Sequence, residues 1–369
     1  MNKNIRVILQ LAFAAIALIV LWIAGVNPYN LLMCFWWPLL TVLQMAVLLF
    51  FFSSLRYKYL FTALGLGASI VPLITFLVQK PLNLLLEGTR FQYVMSHYEV
   101  LGTIDLQTPL IAPLTEEITK LLPIAFILIL LMPHKKYRLL SPVDFALLGI
   151  AAGAGFDIFE NICRFMNGYT DVLGLYRNEL MEPIPGVFGI YLFPSMIKSN
   201  YLGNPMIWFG HAGLTGAISM AIGFFVYLKK KRYMFLPIAA YILCAFDHSM
   251  WNWYQPYPEQ TWAKILPALT LYGRLIPILF AFGLLAAIYI LMRYKKRFES
   301  VLEKTAYPAE PSVGLGCKLN AAILGIRRRN QLINAFRHYV KKGIKVEPFD
   351  VVTAELANIF RTAPARHEL

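Results

Sequence analysis

The stretch that decides the fold runs from residue 113 to 132 and reads Pro113-Leu-Thr-Glu-Glu-Ile-Thr-Lys-Leu-Leu-Pro-Ile-Ala-Phe-Ile-Leu-Ile-Leu-Leu-Met132. It is long enough to cross a bilayer as a helix. Two adjacent carboxylates, Glu116 and Glu117, interrupt this otherwise apolar segment. A charged side chain within a membrane helix costs at least ~2.5–3.5 kcal/mol on insertion scales. The carboxylate pair therefore predicts a functional site inside a membrane-spanning segment.

The composition of the whole chain is that of a membrane protein. Of its 369 residues, 58% are apolar and 15% are charged, whereas about 25% of the residues of a soluble domain are charged. We expect an all-α integral membrane fold with about eight transmembrane helices, the first of them retained and not cleaved as a signal peptide. The expected spans are 5–25, 31–54, 59–79, 113–133, 143–163, 205–228, 233–253 and 264–292.

The charges of the loops predict the orientation. With a cytoplasmic N-terminus and alternating spans, 15 basic residues fall in cytoplasmic turns and six in outer segments, as the positive-inside rule requires. The prediction is an N-in/C-in protein of the cell (plasma) membrane. It has a polytopic domain over 1–293 and a basic helical cytoplasmic tail over 294–369. The net charge of +14 follows from this topology and indicates no nucleic-acid partner.

The tail and two outer segments allow alternative interpretations. An apolar stripe in Leu319–Lys342 is typical of an amphipathic helix, which would either lie on the anionic inner leaflet or form a solvated regulatory appendage. The long outer segments, about 80–112 and 164–204, show no clear strand pattern. Long loops of this kind gate a site, recognise a ligand, or simply connect spans.

Polar residues inside the spans are predicted to meet at one depth. Alternating topology places the polar groups of spans four to seven in the outer third of the bilayer, within a core of about 110–255. Glu116 and Lys120 are separated by four residues and can pair on one helix face. The polar residues of the later spans are Asp157, Glu160, Asn161, His211, Asp247, His248, Asn252 and Arg274.

Carboxylates and imidazoles at one depth can hydrolyse a peptide bond. We expect Glu116 as the general base and Glu117 as its orienting or ligand partner. His211 and His248 would bind water or donate to the oxyanion. Zinc held by the two histidines and Glu117 is the alternative, although the chain has no H-E-x-x-H motif. Supporting roles are expected for Lys120, Asp157, Glu160, Asn161, Asp247, Asn252 and Arg274.

Four motifs in chain order carry a resemblance to a known family. They are Glu116-Glu-Ile-Thr-Lys120, Phe156-Asp-Ile-Phe-Glu-Asn161, His211, and His248-Ser-Met-Trp-Asn252. Together they resemble the PrsW family of intramembrane proteases, which is related to CAAX-processing and bacteriocin-processing membrane proteases. Glu160-Asn161 and Lys120 stand where the wider CAAX-type group has a histidine and an arginine, which favours the PrsW branch.

The resemblance implies membrane-embedded endopeptidase activity, with the double glutamate and a histidine in catalysis. It also implies regulated intramembrane proteolysis of a membrane-anchored substrate, such as an anti-sigma factor, cut near the extracytoplasmic face. The expected partners are the lipid bilayer and a membrane protein or membrane-proximal peptide. The alternative is a proton- or ion-coupled transporter, whose site would usually lie near the midplane between repeats. No internal repeat is visible in this chain.

Overall fold

The computed structural model describes residues 28–86, 90–94, 101–105, 110–132, 136–166, 181–183, 197–199, 206–228, 231–254, 265–302 and parts of 326–337. The helices are α1 (Pro28–Leu48), α2 (Tyr57–Ala68), α3 (Ile70–Leu86), α4 (Ala112–Thr119), α5 (Leu122–Leu131), α6 (Pro142–Met166), α7 (Gly210–Leu228), α8 (Phe235–Tyr254) and α9 (Leu275–Leu302). The strands are β1 (Arg90–Val94), β2 (Leu101–Asp105), β3 (Met181–Pro183), β4 (Ile197–Ser199) and β5 (Met206–Trp208).

The described part of the chain confirms a helical membrane protein. Five of its helical segments are long and apolar enough to cross a membrane: Tyr57–Leu85, Pro142–Cys163, Gly210–Leu228, Lys231–Asn252 and Leu266–Lys296. The total of eight spans and the N-in/C-in orientation stay predictions. The first expected span, 5–25, lies outside the described residues.

The span expected over 113–133 is broken at Lys120 into α4 and α5. Pro123 has no amide proton to donate to the Thr119 carbonyl, so the regular helical hydrogen-bond ladder cannot pass this point. The Lys120 amide still donates to the Glu116 carbonyl at 2.9 Å. The break therefore places Lys120 at a helix junction, where its side chain is fully buried.

Helix α6 is the centre of the bundle. In its apolar span, 94% of the residues are buried, and it packs most extensively on α7 and α2. Small residues permit this close approach, which drives helix association in lipid through van der Waals packing. A Cβ added to Gly153 would lie 2.4 Å from the His211 carbonyl oxygen, and one on Gly67 would lie 2.2 Å from the Ala152 carbonyl oxygen.

A carboxylate on the first turn of α6 ties this helix to the α1–α2 turn. Asp144 accepts hydrogen bonds from the hydroxyls of Ser53 at 2.7 Å and Ser54 at 2.6 Å. It also accepts from the Ser141 amide at 2.7 Å, while its own amide donates to the Ser141 hydroxyl at 3.3 Å. This reciprocal pair is a capping box that satisfies the start of the helix. Asp144 is therefore a structural residue.

The described tail residues pack on the protein at this same end of α6. Asn330 donates to two carbonyls of the α1–α2 turn, each at 3.0 Å, and Asn334 donates to the Leu139 carbonyl at 2.8 Å. Ile333, from the apolar stripe of Leu319–Lys342, is fully buried. At Ile333 the stripe therefore faces the protein, beside the carbonyls that Asn330 and Asn334 bind.

The segments 90–105 and 181–208 contain strands that the sequence pattern did not reveal. Strands β1 and β2 form an antiparallel hairpin, and β3, β4 and β5 form an antiparallel sheet in that order. The alternation of polar and aromatic residues in Arg90–Val94 was an available signal for the first of them. Gly210, at a φ of 70°, turns the chain from β5 directly into α7 and so places His211 in the first turn of that helix.

Two glycines of α2 provide a matched test of the packing on α6. Gly67→Ala should lower stability by about 1–3 kcal/mol, because the new methyl group overlaps the α6 backbone. Gly65→Ala, two residues away with nothing within 4 Å of its added Cβ, should stabilise by about 0.5–1 kcal/mol. Thermal unfolding of the purified protein in lipid nanodiscs measures both, and equal effects would contradict the close helix contact.

Neighbouring amides test the docking of the tail. Asn330→Ala should lower the free energy of unfolding by about 1–3 kcal/mol, because two carbonyls of the α1–α2 turn lose their donor. The control is Gln331→Ala, which removes one partly buried bond to the Ser54 carbonyl at a site that water can reach. The same unfolding measurement should show the larger loss for Asn330→Ala, and no loss in either variant would contradict docking.

Candidate active site

Four helices and one helix junction bring six ionisable side chains into one cluster. Three of the helices contribute their residues from the same end of the bundle. These residues lie in the last turns of α6, the first turn of α7 and the last turns of α8. The cluster comprises Glu116, Glu117, Lys120, Glu160, His211 and His248. The predicted convergence of these groups is therefore present in the structure.

The ammonium of Lys120 lies at the centre of the cluster. Its Nζ is 3.2 Å from Glu116 Oε2, 3.0 Å from Glu117 Oε1 and 2.5 Å from His211 Nδ1. The predicted pairing of Lys120 with Glu116 is present, and Glu117 pairs with the same ammonium. Its Nζ also lies 4.3 Å from the centre of the Phe156 ring. Three acceptors match the three donors of an ammonium, so this buried cation is fully compensated.

The hydrogen bonds of His211 fix its tautomer. Its Nε2 lies 2.6 Å from Glu160 Oε2, and an ionised carboxylate can only accept, so Nε2 carries the proton. An ammonium can only donate, so Nδ1 beside Lys120 must present its lone pair. With Lys120 and Glu160 both ionised, His211 is a neutral imidazole whose Nδ1 lone pair faces Lys120.

The proton of His248 lies on the other ring nitrogen, Nδ1. Its Nδ1 lies 3.0 Å from Glu117 Oε1, so Nδ1 donates and Nε2 of the neutral ring keeps the lone pair. That Nε2 lies 4.0 Å from Glu116 Oε2, the same distance that separates Glu116 Oε2 from His211 Nδ1. Each imidazole thus has one nitrogen on a carboxylate and the other turned towards Glu116.

This donor set fits a metal ion. One oxygen of Glu116 and one nitrogen each of His211 and His248 lie within 4.8 Å of one another. Catalytic zinc sites commonly have three such N/O protein ligands. A histidine that binds a metal usually donates the N–H of its other ring nitrogen to a carboxylate. Here Glu160 holds His211 in this way, and Glu117 holds His248. Glu117 does not belong to this group of three, and its Oε1 is bonded to Lys120 and His248.

Aromatic rings enclose the two imidazoles. Trp208 makes an edge contact with His211 at a centroid distance of 5.4 Å and a tilted contact with His248 at 4.9 Å, and it stacks on Trp251 at 5.5 Å. Phe156 contacts the His211 ring at 5.2 Å. Sequence reasoning missed Trp208 as a site residue, although it stands three residues before His211. These rings hold the imidazoles in orientation.

The other predicted residues lie around the cluster. One carboxylate oxygen of Asp157 lies within 4.8 Å of ligand atoms of Glu160 and His211. Arg274 donates to the Leu271 carbonyl at 3.2 Å. Asn161 and Asp247 are buried, and Asn252 is half-buried near the end of α8. The catalytic or supporting roles of all these residues stay predictions.

Fold and cluster together define a helical membrane protein with a buried carboxylate–imidazole centre. Residues 55–183 match the model of the PrsW family, described as an intramembrane metalloprotease family. No curated protein and no solved structure matches. The match confirms the resemblance to the PrsW family and is consistent with a membrane-embedded protease. It covers about a third of the chain and includes Glu116, Glu117 and Lys120, whereas the two histidines lie beyond it.

Glu160 provides a test of how His211 is positioned. Glu160→Ala should lower metal affinity and activity about 10–100-fold, the usual effect of losing a partner of a metal-binding histidine. Glu160→Gln keeps an oxygen acceptor for the Nε2 proton, so its metal affinity and activity should fall much less. Zinc titration and cleavage assays on the two variants check this, and indistinguishable variants would contradict a role through the hydrogen bond.

Proposed function

We propose that this chain is an endopeptidase that hydrolyses a peptide bond of a membrane-anchored protein near the extracytoplasmic face. The observation that carries the proposal is the convergence of two glutamates and two neutral histidines in one buried cluster. Glu160 lies 16 residues beyond Asp144 on α6, about 24 Å along the helix. Loop charges assign the Asp144 end to the cytoplasm, which supports an outer position for the cluster.

The proposed metal ligands are Glu116, His211 and His248, because one ligand atom of each lies within 4.8 Å of the others. When bound there, a zinc ion would polarise the scissile carbonyl and lower the pKa of water. Charge also supports a divalent cation. Counted as ionised, Glu116, Glu117, Glu160 and Lys120 leave a formal charge of −2, which one divalent ion would balance.

Glu117 is the proposed general base. Its Oε1 holds His248 in orientation, while its buried Oε2 has no hydrogen-bond partner among the described residues. Oε2 can therefore accept a proton from water as the water oxygen adds to the carbonyl carbon. The same proton then passes to the nitrogen of the leaving amine. This division of roles exchanges the two glutamates relative to the assignment made from sequence.

The exposed edge of the cluster indicates how the substrate enters. The side chains of Glu160 and Glu116 are 26% and 15% exposed, whereas Glu117 and Lys120 are fully buried. A peptide and water would thus approach from the side of Glu116 and Glu160. We propose a single-pass membrane protein as the substrate, with an anti-sigma factor as the example that the family resemblance suggests.

Separate substitutions of the two glutamates test these roles. Glu116→Gln should lose both zinc and peptide cleavage, because a metal ligand is removed. Glu117→Gln should keep zinc and the bond to His248 but lose about 10²–10⁴-fold in rate, the usual contribution of a general base. Zinc content and cleavage of membrane-anchored candidate substrates in proteoliposomes measure the two effects.

The control for this experiment is Glu299→Gln on α9, which lies beyond the apolar part of that helix and should behave as wild type. Zinc lost from Glu117→Gln but kept by Glu116→Gln would reverse the two assignments. Full cleavage by both variants would contradict the proposed active site.

A further inference from the structure

We propose that Lys120 is a tethered cation that occupies the metal-binding cage and is displaced from His211 when a metal ion binds. The inference rests on the proposed ligand set and extends it to the metal-free protein. In that state, the ammonium replaces the ion as the positive charge that the carboxylates require.

Lys120 and a metal ion would compete for one lone pair. Lys120 Nζ lies within hydrogen-bond distance of two of the three proposed ligand atoms, His211 Nδ1 and Glu116 Oε2. The neutral imidazole of His211 has a single in-plane lone pair on Nδ1, and its Nε2 proton is committed to Glu160. That lone pair cannot accept from the ammonium and bind a metal at once. Metal binding therefore requires Lys120 to leave His211.

The position of Lys120 in the chain makes such a movement feasible. Lys120 lies at the α4–α5 junction caused by Pro123, so its backbone is not within a continuous helix. A lysine ammonium is carried on a flexible four-carbon stem. It can therefore withdraw from His211 while keeping its 3.0 Å bond to Glu117 Oε1.

A tethered cation and a fixed structural counterion predict opposite effects on metal affinity. If Lys120 only supports the fold, removing it damages the site and zinc binds more weakly or equally well. If Lys120 competes with the metal, removing it frees the Nδ1 lone pair and makes the cage more negative. Zinc then binds more tightly, even though the metal-free protein loses stability.

The experiment measures Zn²⁺ affinity and thermal unfolding of the full chain in lipid nanodiscs, with a chelator-treated sample as the metal-free state. Lys120→Met should bind Zn²⁺ on the order of tenfold more tightly than wild type, since a hydrogen bond to a charged group is worth at least that factor. Metal-free Lys120→Met should unfold at a lower temperature than wild type, and Zn²⁺ should raise its unfolding temperature by the larger amount.

Two further variants complete the comparison. Lys58→Met removes an exposed lysine of α2 and should match wild type in both measurements. Lys120→Gln, whose neutral amide can still bond to the glutamates, replaces Lys120→Met if the latter does not fold without metal, and it should also bind Zn²⁺ more tightly than wild type.

The outcomes separate this inference from the proposed function. Equal or weaker Zn²⁺ binding by both Lys120 variants would overturn the tethered cation and leave the metal-based protease in place. Failure of wild type and both variants to bind Zn²⁺ would overturn the metal competition together with the proposed ligand set.

Discussion

The arrangement of the site depends on one constraint, which is that a buried ammonium needs anions within hydrogen-bonding reach. Lys120 is fully buried and has Glu116, Glu117 and the lone pair of His211 around it. Those same contacts determine which nitrogen of His211 carries the proton. Because Glu117 Oε1 contacts both Lys120 and His248, a single carboxylate connects the cation to the second histidine.

Close packing of α6 against its neighbours allows the groups around Lys120 to come together. Lipid provides no hydrophobic drive for helices to associate, so small residues and polar contacts must hold them together. At the level of His211, Gly153 lets the backbones of α6 and α7 touch. At the other end, Asp144 fixes the start of α6. The central helix is thus held at its start and near its middle, and Glu160 lies 2.6 Å from His211 Nε2.

The features that could be predicted from the sequence are those that follow from helical spacing and from alternating topology. The pairing of Glu116 with Lys120 follows from a separation of four residues, and the meeting of distant groups follows from the direction of each span. Tautomers and the roles of adjacent carboxylates depend on contacts between helices, which spacing does not specify. The break at Lys120 was not predicted, although Pro123 was an available signal for it. The docked tail was not predictable, because carbonyls at helix ends created its binding surface.

The most direct test of the central claim is X-ray absorption spectroscopy at the zinc edge of the full-length protein in lipid. The structure predicts nitrogen and oxygen ligands at about 2.0–2.2 Å, the distances of histidine and carboxylate ligation. Two of the ligands should be imidazoles, and His248→Ala should reduce them to one. A spectrum without imidazole, or one unchanged by both His248→Ala and His211→Ala, would contradict the account.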